Sequence, residues 1–189
     1  MSEISPSRVT VRTLQKCEYT IRLERDITCP DDFAEEFACL QQAGPDDVVR
    51  FLLLSAGGEL GTGLQLIRAI KACAATTIAV IGLDCASAAS AVALACDGWE
   101  VDEMSSMMVH TASISFGQDK LRNVAAAANH SQKMIERFID STYTGFLTEE
   151  EMLDVKNGKD LYFEGEDLAD RLNAFADYRE SLVNVAEAA

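Results

Sequence analysis

Two apolar runs constrain this chain more than anything else in it. Val48 to Leu54 (VVRFLLL) and Thr77 to Gly82 (TIAVIG) are short and almost unbroken, the pattern of strands covered on both faces. Each leads through small residues into a helical segment. Ser55-Ala56-Gly57-Gly58 precedes Leu60, Leu64 and Ile67 at i, i+4, i+7 spacing. The second run leads into Leu83 to Cys96 (LDCASAASAVALAC), with a helix from about Ser87. Strands alternating with helices imply an α/β fold with a parallel sheet and right-handed crossovers.

The flanking segments fit that scheme. Tyr19, Ile21 and Leu23 alternate with polar residues as in a half-buried strand. Pro30 opens a helix whose apolar face is Phe33, Phe37 and Leu40, ending near Ala43. Gly44-Pro45-Asp46-Asp47 is a turn. Trp99 to Met104 and Met107 to His110 read as strands. A long helix without proline or glycine is predicted over 118–144, stopped by Gly145. Thr148 and Glu151 form a capping box, and a last short helix is predicted over 165–172. No repeat or linker interrupts the chain, so 1–189 reads as a single domain, with 1–8 and about 180–189 disordered.

Charge narrows the function classes. A net charge of −15 over 189 residues argues against nucleic acid and anionic membranes as partners. No apolar run reaches the ~20 residues of a membrane span, and MSEISPSRVT has no apolar signal region. The cysteines at 17, 29, 39, 73, 85 and 96 lack the close spacing of a zinc or redox motif; the reading is a reducing cytoplasm and no disulfides. GGELGTG lacks the GK[ST] ending of a phosphate loop, and no GxSxG occurs.

The chemistry gathers at three turns. His110 ends an apolar strand, whereas His130 lies in a polar stretch of the long helix. In a parallel α/β sheet, ligands collect at the C-terminal strand ends. Ser87 falls at such an end and opens a helix, beside unpaired N–H groups and the positive end of the helix dipole. Gly57-Gly58 can aim a further N–H at the same point, because glycine lets the backbone approach a ligand closely. A Ser87 nucleophile, a His110 base and an orienting carboxylate would form a hydrolytic triad. The plainer alternatives are a helix N-cap for Ser87 and an ordinary turn at Gly57-Gly58. Cys85 is a rival nucleophile, expected to be buried.

Three blocks resemble the ClpP family of serine peptidases, over roughly residues 19–178. They are Leu54-Ser55-Ala56-Gly57-Gly58 with Gly61 and Gly63, Ser87-Ala88-Ala89-Ser90, and Ser105-Ser106-Met107-Met108-Val109-His110. The second block, with the 23 residues that separate Ser87 from His110, is similar to the phage and prophage head-maturation type. Gly145 to Glu151 and Gly158 to Phe163 resemble the segment supplying the third triad member. The resemblance implies Asp160 as the orienting carboxylate, with Asp154 as competitor, and Gly58 and Ala88 as oxyanion-hole donors. Ser90 would be structural. The chain departs from the family pattern at Ala56, at Thr111-Ala112 after the histidine, and over 113–120.

The same resemblance implies a ClpP/crotonase-like spiral of ββα units with the long helix as a protruding handle. It implies a homo-oligomeric ring, a heptamer or two stacked rings, in the cytoplasm (of the host, if phage-encoded). Substrates would be peptides or unfolded proteins, cut without metal or cofactor. A separate ATP-dependent unfoldase or capsid proteins are the implied partners. The rival functions are a catalytically inactive ring or scaffold subunit and a crotonase-type acyl-CoA enzyme.

Overall fold

The computed structural model describes residues 16–187. The reading of 1–8 as disordered lies outside the described residues. Strand β1 (Glu18–Leu23) pairs in parallel with β2 (Val48–Ser55), and β2 with β3 (Thr76–Ala86). Between β1 and β2 a 3-10 turn at Pro30–Phe33 leads into α1 (Ala34–Gln42), with Phe33 and Leu40 on its buried face. Helix α2 (Leu60–Ala72) is the crossover from β2 to β3, and α3 (Ala88–Ala95) follows β3 directly. Both β4 (Gly98–Glu100) and β5 (Ser106–Val109) pair in parallel with β3, β4 along Ile78–Val80 and β5 at its last residues, Cys85 and Ala86. The long α4 (Leu121–Tyr143), the short α5 (Glu149–Lys156), β6 (Leu161–Glu164) and α6 (Gly165–Glu187) complete the chain.

The core lies where the sheet meets α2 and α3. Phe51, Leu53, Ala79 and Ile81 of the central strands meet Leu66 and Ile70 of α2 and the wholly buried Ala88–Ala95 of α3. The alanines serve this packing: Gly63 of α2 comes so close that a side chain there would lie 3.2 Å from Ala88 Cβ. Thr148 and Glu151 make both bonds of the capping box. Glu151 also receives two hydrogen bonds from Arg171, at 2.9 and 3.1 Å, which fasten α5 to α6.

Four expectations need correction. Strand β3 does not stop at Gly82 but runs to Ala86. It carries two extra residues between the Leu53–Ile81 and Ser55–Cys85 pairs, at a place where Gly82 lies close beneath the Leu53 carbonyl. Segment 161–164 is a further strand, pairing antiparallel with β5, so the sheet is not the wholly parallel one expected. The Trp99–Met104 strand shrinks to Gly98–Glu100, because Asp102 and Ser105 close a turn through Ser105 N–H to Asp102 O at 3.1 Å. The last helix extends to Glu187 rather than to 172, so 180–187 is helical and not disordered. No glycine or proline interrupts it after Gly165, and Leu168, Leu172 and Phe175 anchor it to the core.

Helix α4 does not lie flat on the sheet. Its buried residues are Ile139 and Tyr143, near its C-terminal end, where it packs on α3 and α5. Leu121, at its start, is 84% exposed. Among the described residues no helix is long and apolar enough to cross a membrane. The six cysteines are all unpaired.

Candidate active site

Strand β3 delivers Ser87 into a turn so tight that its backbone adopts φ 57°, ψ −123°, left-handed for a residue with a side chain. Among the described residues no other non-glycine has positive φ. Such strain persists where the surrounding structure enforces it. Here the Ser87 N–H donates to the Met108 carbonyl at 2.9 Å, and Ser90 N–H donates to the Ser87 carbonyl at 3.1 Å. Ser87 occupies the N-cap position of α3, but its side chain makes no capping bond. Its Oγ instead lies 2.8 Å from His110 Nε2. The N-cap alternative therefore does not describe this serine.

His110 reaches Ser87 because β5 lies beside the end of β3. Cys85 and Ala86 pair with Met107 and Met108, and His110 follows two residues later. The third candidate arrives from the other side. Val109 pairs with Leu161 in the antiparallel β5–β6 ladder, so the next step of the register sets Asp160 across from His110. Asp160 Oδ1 lies 3.9 Å from His110 Nδ1, beyond hydrogen-bond length, and its side chain is 49% exposed. Asp154 is engaged elsewhere, 2.6 Å from Lys159 Nζ.

Gly57 and Gly58 form the wall opposite. Both have positive φ, 92° and 140°. A Cβ on Gly57 would stand 2.7 Å from Ser87 Cβ, and one on Gly58 would stand 2.2 Å from the Ile27 carbonyl oxygen. Ile27 N–H donates to Gly57 O and Glu59 N–H donates to Ile27 O, each at 2.7 Å. Neither bond uses the Gly58 N–H, which the bridge turns away from Ile27. The Ala88 N–H belongs to the first helical residue of α3 and has no intrahelical acceptor. Gly58, Ser87, Ala88 and His110 all line one cleft of about 800 Å³, whose apolar wall includes Leu60, Leu64, Met108 and Phe138.

Cys85 is fully buried and burial pushes its thiol pKa far up, which leaves it a poor nucleophile. His130 is exposed on α4 and is not among the residues that line this cleft. Ser90 is buried and donates from Oγ to the Ser87 carbonyl at 2.7 Å. Its Oγ is also 3.1 Å from Tyr143 Oη. Since the Ser90 proton goes to Ser87, the Tyr143 hydroxyl is the donor to Ser90. Sequence reasoning missed Tyr143. Its one local signal is a tyrosine on the apolar side of a long helix, which does not say what it meets.

A strained serine at a strand end, a histidine in hydrogen-bond contact and N–H groups beside the serine are the parts that hydrolysis through a covalent serine intermediate requires. The model of the Clp protease family matches residues 8–170. The chain belongs to the Clp protease family. No curated protein matches it.

Proposed function

We propose that this chain is a serine endopeptidase that cuts peptides or unfolded protein segments through an acyl-enzyme. The observation that carries the reading is the 2.8 Å contact between Ser87 Oγ and His110 Nε2 on a backbone strained into position. His110 Nε2 takes the hydroxyl proton as Ser87 Oγ attacks the peptide carbonyl carbon. The Gly58 and Ala88 N–H groups receive the oxyanion. His110 then gives the proton to the leaving amine, and water, activated by the same nitrogen, releases the acyl group. Asp160 orients the imidazole by accepting from Nδ1–H, which requires an approach of about 1 Å from its present distance.

The Ser87–Ser90 block and the Ser–His spacing carry the phage head-maturation assignment, with capsid proteins as substrates. Turnover with a separate ATP-dependent unfoldase is the other setting for the same chemistry. We place assembly into a ring at the exposed part of α4. One observation favours a second reading, an inactive ring or scaffold subunit: Asp160 stands too far from His110 for a hydrogen bond.

Intact mass after fluorophosphonate treatment separates the two readings. The active enzyme gains one adduct, Ser87→Ala gains none, and Asp160→Asn reacts at least ~10-fold more slowly while Asp154→Asn does not. An unlabelled wild type makes the chain an inactive subunit.

A further inference from the structure

Glu59 follows Gly58 directly and lines the same cleft as Ser87. It caps α2, accepting from Gly61 N–H at 2.9 Å and from Thr62 N–H. The Thr62 side chain is near enough to favour the ionised carboxylate, although its hydroxyl makes no hydrogen bond of good geometry. Together with the two N–H groups it holds Glu59 below the usual carboxylate range. The cap and the positive end of the α2 dipole favour a charged oxygen at this position. The side chain is exposed, and no cation pairs with it among the described residues. No lysine, arginine or second carboxylate lines the cleft, whose other walls are glycine, alanine, serine and apolar side chains around His110. As the one carboxylate among the residues that line the cleft, Glu59 gives the substrate-facing surface a negative potential that favours a cation.

We infer that Glu59 is a specificity-determining residue that selects substrates with a lysine or arginine close to the scissile bond. The inference rests on the serine peptidase reading of the same cleft. Gly58 would hold the scissile carbonyl oxygen, so the carboxylate of the next residue stands within one or two residues of the bond being cut. The pairing is rim-like and solvated, which limits its effect to roughly three- to tenfold in kcat/KM.

The test is cleavage of matched peptides that differ only in one residue beside the cut, arginine, glutamine or glutamate, with products read by mass. Wild type is expected to cut the arginine peptide roughly three- to tenfold faster than the glutamine peptide and the glutamate peptide slowest. The preference should shrink as salt rises. Within Glu59→Gln the arginine-to-glutamine ratio should fall to about one. Glu59→Ser, which keeps a capping oxygen, should behave the same way, so a folding defect in one variant does not decide the result. Equal cleavage of the three peptides by wild type, or a preference that survives in both variants, overturns the inference and leaves the peptidase reading standing. If no peptide is cut and fluorophosphonate leaves Ser87 unlabelled, the peptidase reading falls and takes this inference with it.

Discussion

At Ser87 the backbone is held against its own preference. Left-handed φ in a residue with a Cβ costs of the order of 1–3 kcal/mol, and glycine relieves it. Ser87→Gly should therefore raise stability by ~1 kcal/mol, after allowing for the greater freedom of glycine in the unfolded chain, and abolish fluorophosphonate labelling. The midpoint of urea unfolding reads the first effect and intact mass the second. Loss of stability instead would mean that the Ser87 turn is not strained. Gly57→Ala acts from the other side: its new Cβ, 2.7 Å from Ser87 Cβ, must displace the serine, and labelling should fall at least ~10-fold. Ser87 and His110 were legible in the sequence because Ser87 opens the helix that follows an apolar run and His110 ends one, and a strand end in a parallel sheet is where ligands gather. Asp160 was legible by resemblance alone, since its position depends on an antiparallel register that four residues of mixed exposure do not announce.

Among the elements, the parallel strands and the helices between them followed from long apolar runs and helical spacing. What the chain's pattern concealed was decided by pairing. The two extra residues in β3 and the antiparallel β6 arise from contacts between segments far apart in sequence. The link from α4 to the nucleophile turn is of the same kind: Tyr143 to Ser90, then Ser90 to the Ser87 carbonyl. Burial pushes the Tyr143 hydroxyl up from about 10 to about 12, with the Ser90 hydrogen bond acting in the opposite direction. A raised folded-state pKa stabilises the protein fully below the unfolded value. That contribution is lost as pH climbs from about 10 through 12, by up to ~3 kcal/mol. Tyr143→Phe lacks the ionisable group. It should be ~1 kcal/mol less stable at neutral pH yet lose less stability than wild type across the alkaline range. Parallel stability curves for the two proteins would place the tyrosine outside the core.

The molecule as a whole carries a net charge of −15 and an exposed α4 start with Leu121 at its tip. Copies of such a chain repel one another until salt screens them. If rings form through α4, sedimentation should show larger particles in about 500 mM salt than in about 50 mM salt. Leu121→Glu should shift the protein toward the monomer without lowering its melting temperature, because Leu121 is outside the core. An unchanged particle size would exclude this end of α4 from the interface. Helix α4 is about 35 Å long at 1.5 Å per residue. In mechanical terms it is a lever: its free arm reaches into solvent, and its fulcrum is Ile139 and Tyr143. Between that fulcrum and the peptide unit that holds the nucleophile stand only two hydroxyl groups, those of Tyr143 and Ser90.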